Sequence, residues 1–193
     1  MASDENREPA TPWRILDSHN AFEHRWYVLR RDTVELPDGG VIDDYFVSVR
    51  PEVVVVVPIN RTGSFIMVRQ YQHGAGQITL EFPAGTFRNE APADAALREL
   101  EEETGYIPGR IEPLGACFEN ASKNTNRNHL FLAEDCDPRG TQKLERTEQA
   151  AGLTVQILTP VELAHALDTG QIVAMSSLVA GYRALRRLAE KAA

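Results

Sequence analysis

Residues Pro83–Tyr106, PAGTFRNEAPADAALRELEEETGY, decide the reading of this 193-residue chain. They place Glu99, Glu101, Glu102 and Glu103 within five positions. Ala95, Ala96, Leu97 and Leu100 supply an apolar packing face, Pro92 suits a first helical turn, and Gly105 suits a C-terminal cap. The segment therefore predicts a helix over about Ala91–Thr104. Each helical residue turns about 100°. Glu99 and Glu103, four apart, share a face; Glu102 borders it and Glu101 points away. Carboxylates so arranged repel: two unit charges about 4 Å apart cost about 4 kcal/mol at an effective dielectric near 20. Such a run is either a solvated face or a platform for a hard cation. Mg²⁺ or Mn²⁺ takes carboxylate oxygens, keeps several waters and adds phosphate oxygens. Two features favour the platform. Arg98 directly precedes Glu99, where its planar fork can orient carboxylates. The Pro83-Ala84-Gly85 turn precedes the helix, where bare backbone can approach a ligand.

Upstream, EVVVVVPI (Glu52–Ile59) is a β-branched run between Pro51 and Pro58 and reads as a strand buried on both faces. NRTG (Asn60–Gly63) turns it into SFIMVRQY (Ser64–Tyr71), its hairpin partner, and ITLEFPAG (Ile78–Gly85) reads as one further strand. Residues 13–50 read as a small antiparallel β subdomain, with a hairpin at Pro37-Asp38-Gly39-Gly40. Residues 51–193 form the main domain. Downstream, IEPLGACFEN, NHLFLAEDC and LTVQILTP read as strands. Thr159 caps a helix over Glu162–Leu167, and Ser176–Lys191 is an amphipathic helix with Arg183, Arg186, Arg187 and Lys191 toward its C-terminus. Strands and helices mix without strict alternation, which points to α+β, an α/β/α sandwich.

The net charge of -8 argues against a nucleic-acid surface, while leaving room for a small phosphate ligand at one locally inverted site. Two cysteines, Cys117 and Cys136, without a CxxC suit a reducing compartment. No run is long enough to span a bilayer, and the polar start MASDENREPATP lacks the features of a signal peptide. A cytoplasmic protein with a flexible tail over residues 1–12 is expected.

Gly85, four residues, Glu90, seven residues, then Arg98-Glu99-Leu100-Glu101-Glu102-Glu103-Thr104-Gly105-Tyr106 resembles the Nudix box of the Nudix hydrolases. The second half matches at every fixed position; the loop between Gly85 and Glu90 is one residue short. EFPAG, VRQY (Val68–Tyr71) and LPDG extend the resemblance to the ADP-ribose pyrophosphatase branch, hydrolases of nucleoside diphosphate sugars. The resemblance implies a mixed sheet between helices and an N-terminal β subdomain exchanged in a homodimer. It implies Glu99 and Glu103 as main ligands of Mg²⁺ or Mn²⁺, Glu102 as ligand or water-linked partner, the carbonyl of Ala84 as backbone ligand, and Arg98 as the ion-pairing residue that holds the glutamates.

The implied reaction is attack of water on phosphorus, which for ADP-ribose yields AMP and ribose 5-phosphate. The branch often draws its general base from a loop before a late strand. Here that stretch is Lys143–Leu158, with Glu148 first and Glu145 second; both equally fit solvated loop acids. Arg69 and Arg50 suit a diphosphate, because a guanidinium pairs two oxygens at once. Gln70 and Glu81 are expected beside the site, and Trp26, Tyr27 or Phe46 are candidates to stack on the base. The polar run Asn120–His129, with Arg127, is long enough to shape sugar specificity. GDP-mannose, ADP-glucose and NADH remain alternative substrates, and a nucleotide-binding sensor without turnover is the alternative of another class.

Overall fold

The computed structural model describes residues 10–193, so the tail expected over residues 1–12 lies, up to residue 9, outside the described residues. The chain divides into two compact units: residues up to Arg50 together with Asn120–Thr125, and Pro51–Glu119 together with Asn126–Ala193.

The first unit is an antiparallel sheet of β1 (Arg14–His24), β2 (Tyr27–Glu35) and β3 (Val41–Val49), in that order. The hairpin expected at Pro37–Gly40 joins β2 to β3, with Glu35 opposite Val41 and Gly39 at φ 83°, a left-handed turn position. Few side chains are buried here. Asp32 is one of them, and its carboxylate accepts hydrogen bonds from Ser18 and from the Arg30 guanidinium. The outer edge of β3 is covered by the returning segment 120–125. Ser48 N–H donates to Lys123 O (2.7 Å), Thr125 N–H donates to Ser48 O (3.1 Å), and Tyr45 OH donates to Ser122 O (2.6 Å).

The second unit holds β4 (Glu52–Asn60), β5 (Phe65–Gln72), β6 (Gln77–Glu81), β7 (Ala84–Phe87), α1 (Pro92–Thr104), β8 (Tyr106–Ile107), β9 (Arg110–Phe118), β10 (Arg127–Pro138), α2 (Arg146–Ala151), β11 (Thr154–Leu158), α3 (Pro160–Asp168) and α4 (Met175–Ala192). Its mixed sheet runs β11-β5-β4-β10-β8, with β6 on β5, β7 on β4 and β9 on β10. The β4–β10 pair is parallel. Val54, Val55, Val56 and Val57 are all fully buried, as a strand covered on both faces requires. Their alternation splits the core. Val55 and Val57 pack with Leu163, Leu167, Ala180 and Ala184 of α3 and α4, whereas Val54 and Val56 pack with Ala95, Ala96 and Leu100 of α1. Helices thus cover both faces of the sheet, the α/β/α sandwich expected from the sequence.

Several local readings change. Pro58 lies inside β4 rather than at its end; pairing with β5 registers at Ile59–Phe65, one residue beyond it. The strand expected over Ile78–Gly85 breaks at Phe82-Pro83. β6 pairs with β5 and β7 with β4, so the chain changes partner at the proline. Leu97 is 37% exposed and lies off the packing stripe of α1. The loop expected before β11 contains α2, which ends at Gly152 with φ 68°. On α4, Arg187 and Lys191 pair with Glu112 of β9, and Lys191 also pairs with Glu134 of β10, fastening the helix to the sheet.

Candidate active site

The site is built on α1 and the backbone strand in front of it. Glu99 and Glu103 fall on the stripe that packs inward, so the helix carries two carboxylates into its buried face: Glu103 is 2% exposed and Glu99 7%. Opposite them lies the Ala84-Gly85 backbone of β7. Ala84 N–H donates to Glu103 Oε2 at 3.3 Å. A Cβ on Gly85 would stand 2.0–2.3 Å from the carboxyl atoms of Glu99, so only glycine admits that carboxylate.

Arg98 ties the acids together. Its Nη1 donates to Glu99 Oε1 (2.8 Å) and Glu102 Oε2 (3.0 Å), and its Nη2 donates to Glu90 Oε1 (2.8 Å). The short loop before the helix therefore still delivers Glu90 to the arginine. Asn89 closes that loop in the left-handed conformation (φ 59°), which asparagine tolerates better than most residues. Glu101 points away, as expected, and pairs with Lys143 Nζ at 2.8 Å.

The electrostatics favour a cation. Glu99, Glu102 and Glu103 sit toward the negative end of the α1 dipole. Burial pushes the Glu103 carboxyl well above the ordinary carboxylate range; Glu99 and Glu148 push the same way, the Ala84 N–H opposes, and Glu81 adds to the rise. Burial also raises Glu99, against the opposing charge of Arg98. The guanidinium of Arg98 is raised in turn, with the Glu90 bond the largest cause. Among the described residues, no three His, Cys, Asp or Glu side chains are gathered as a metal-binding cluster by themselves. The guanidinium instead takes one oxygen each of Glu99 and Glu102. Among the described residues Glu103 has no such cation, and hard oxygen donors facing bare backbone fit a divalent cation.

Of the other residues singled out in the sequence, Glu81 and Glu148 share the field of Glu103. Glu148 lies on α2, where its Oε2 accepts the Glu145 N–H at 2.7 Å. Glu145 itself is exposed at the start of that helix. Gln70 and Glu148 line a cleft of about 530 Å³ together with Tyr71, Gln72, His73 and Thr147. Sequence reasoning missed the last four. The aromatic pair Tyr71 and His73, with ring centroids 6.1 Å apart, starts at the last residue of VRQY and was the available signal. Arg69 is exposed on β5 and is not among the residues lining that cleft. Arg50 and Trp26 belong to the N-terminal unit. Arg50 N–H donates to Thr125 Oγ1, and Trp26 is 73% exposed beneath the Arg25 guanidinium. Tyr27 and Phe46 are exposed in the same unit, and Arg127 stacks over Phe118 in the second.

Residues 49–175 match the NUDIX domain family, and residues 13–48 match the nucleoside diphosphate sugar hydrolase N-terminal domain. The chain is 35% identical to an ADP-ribose pyrophosphatase of Bacillus subtilis over 63% of its own length and 66% of that protein. It is 33% identical to a methanol dehydrogenase activator of Bacillus methanolicus over 72% of its own length and 71% of that protein. The crystal structure of an ADP compounds hydrolase superposes with a TM-score of 0.83 at 21% identity, covering 96% of this chain and 98% of that one, a likeness of fold. With a family match across most of the chain and the acid helix, its arginine and the glycine turn in place, the protein belongs to the Nudix hydrolase family.

Proposed function

We propose that this protein hydrolyses the diphosphate bond of a nucleoside diphosphate sugar with the help of a divalent cation, ADP-ribose first, to give AMP and ribose 5-phosphate. The observation that carries the reading is the buried Glu103 carboxyl, set against the Ala84-Gly85 backbone beside Glu99. Glu99, Glu103, Glu102 and the Ala84 carbonyl would hold Mg²⁺ or Mn²⁺. Such an ion polarises phosphoryl oxygens, lowers the pKa of water and offsets developing charge. Arg98 keeps Glu99 and Glu102 oriented through its fork. Glu148 is the first candidate base, with one carboxylate oxygen fixed by the Glu145 N–H and the other left to take the proton of the attacking water. Glu145, which supplies that fixing bond, is the second. As the water oxygen bonds to one phosphorus, the bridging P–O bond breaks and its electrons leave with the other monophosphate. Gln70 and the cleft beside Glu148, with Glu81 in the field of Glu103, are the candidates to receive one substituent of the diphosphate. Arg69, Arg50 and Trp26 are the further candidates for phosphate and base.

Incubation with ADP-ribose and Mg²⁺ is expected to release AMP and ribose 5-phosphate in equal amounts, and chelation is expected to stop it. GDP-mannose, ADP-glucose and NADH belong in the same panel; a relative from Klebsiella pneumoniae, 29% identical, is named a GDP-mannose pyrophosphatase. Nucleotide binding without turnover on any of these, with either metal, would replace the enzyme by a sensor.

The protein further acts as a homodimer. All eleven residues of β1 are exposed, and Trp13, Ile15, Leu16 and Phe22 on or beside that edge strand are large apolar groups that a second copy would cover. Light scattering is expected to give twice the 21.5 kDa chain mass, and a monomer at micromolar concentration would refute it. A cytoplasmic setting fits two unpaired cysteines, and no helix among the described residues is long and apolar enough to cross a membrane.

A further inference from the structure

The end of α1 is held by a strap formed by residues 139–145. Helix-terminal carbonyls lack partners within the helix, and the strap supplies them. Lys143 N–H donates to Glu102 O (2.8 Å), the Gln142 side-chain amide donates to Glu103 O (2.6 Å), and Gly140 N–H donates to Gly105 O (2.9 Å). The approach is close: a Cβ on Gly105 would stand 2.8 Å from Gly140 O. The strap then runs directly into α2. Gln149 Nε2 donates to Leu144 O (2.7 Å), and Glu145 N–H donates to the Glu148 carboxylate (2.7 Å). Hydrogen bonds at the two ends of the strap, joined by its covalent chain from Gln142 to Glu145, therefore link the main chain of Glu103 to the side chain of Glu148.

We propose that Gln142 is a positioning residue that, by holding the Glu103 carbonyl, sets the last turn of α1 against the strap that leads into α2 and Glu148. This rests on the reading of α1 and Glu148 as the hydrolytic site. Gln142 touches no reacting atom in that reading. It is an exposed residue, so its replacement opens no core. The two backbone bonds from Gly140 and Lys143 survive any change of its side chain. The expected consequence is a small displacement of one carboxylate relative to the other, in a reaction where a shift of about 1 Å can cost about a hundredfold.

The test compares Gln142→Leu, which keeps the bulk and removes the donor, with Gln142→Lys, which keeps a donor at similar reach. With ADP-ribose and Mg²⁺, the leucine variant is expected to lose about tenfold in kcat with KM within about twofold, and the lysine variant to recover most of it. Melting temperatures of both are expected within about 3 °C of the native chain, as for an exposed substitution. Hydrogen exchange is expected to quicken in residues 139–151 of the leucine variant and not in the lysine variant. A native kcat in the leucine variant overturns the proposal. Equal loss of kcat and melting temperature in both variants also overturns it, in favour of a purely structural role. Failure of the functional reading is distinct, because it is seen in a native chain inert toward every nucleotide sugar.

Discussion

Glu103→Gln is expected to lower turnover by about 10³-fold and, at alkaline pH, to make the metal-free protein more stable than the native one. The first effect follows from the donor set. An amide removes the negative charge from the most buried of the proposed ligands, and several kcal/mol of transition-state stabilisation at about 1.4 kcal/mol per tenfold gives that order of loss. The second follows from linkage. Burial raises the Glu103 carboxyl above its ordinary value of 4.5, so the folded state holds its proton more tightly than the unfolded chain. Between that ordinary value and the raised one the native state binds more protons, and its stability falls as pH rises through the window. Glutamine removes this slope. A divalent cation reverses it, because binding requires the carboxylate and displaces the proton; Mg²⁺ should therefore stabilise the native chain more as pH rises. Melting curves of both proteins from about pH 5 to about pH 9, with and without Mg²⁺, read all three slopes. Parallel curves for native and variant in the absence of metal would show that Glu103 is not the strained group.

Gly85→Ala should be nearly as damaging to activity without replacing any acid. The new methyl would fall 2.0–2.3 Å from the Glu99 carboxyl, far inside contact distance, and Glu99 must move by about an ångström or more. A displacement of that size predicts a loss of about 10² in kcat/KM. The backbone itself tolerates alanine, since Gly85 is not among the residues of positive φ. The stability cost is therefore that of local overpacking, about 1–3 kcal/mol. Gly74→Ala is the matched control: it too lacks a positive φ, its methyl meets nothing within 4 Å, and its activity should be native. Unimpaired turnover by Gly85→Ala would mean that Glu99 does not work from the position it holds against β7.

The helix and its acid face were legible because helical spacing fixes which residues share a side, and the pairing of Arg98 with Glu102, four residues on, follows directly from that spacing. The buried strand Glu52–Asn60 was legible for a similar reason, its valine run admitting no exposed face. Other features were hidden because they depend on tertiary partners. No local signal in ITLEFPAG says that β6 and β7 join different neighbours. The helix around Glu148 is six residues long, below the length at which periodicity speaks. Its place in the field of Glu103 comes from the strap, and the bond of Gln142 to Glu103 spans 39 residues that no pattern connects. Glu90 was legible as a box acid but not as the third partner of Arg98, since the shortened loop had to close before its direction was fixed.

The segment 120–125 that borders β3 also bears on how the chain is made. The first fifty residues leave the ribosome in order, but the residues that complete the rim of their sheet follow about seventy positions later. At about 5–20 residues per second that is a wait of several seconds to over ten. During it the rim of β3 is bare and the valine-rich strand β4 is already being translated. The N-terminal unit is therefore not a contiguous module. A fusion or truncation cut at Arg50 would separate it from six of its own residues.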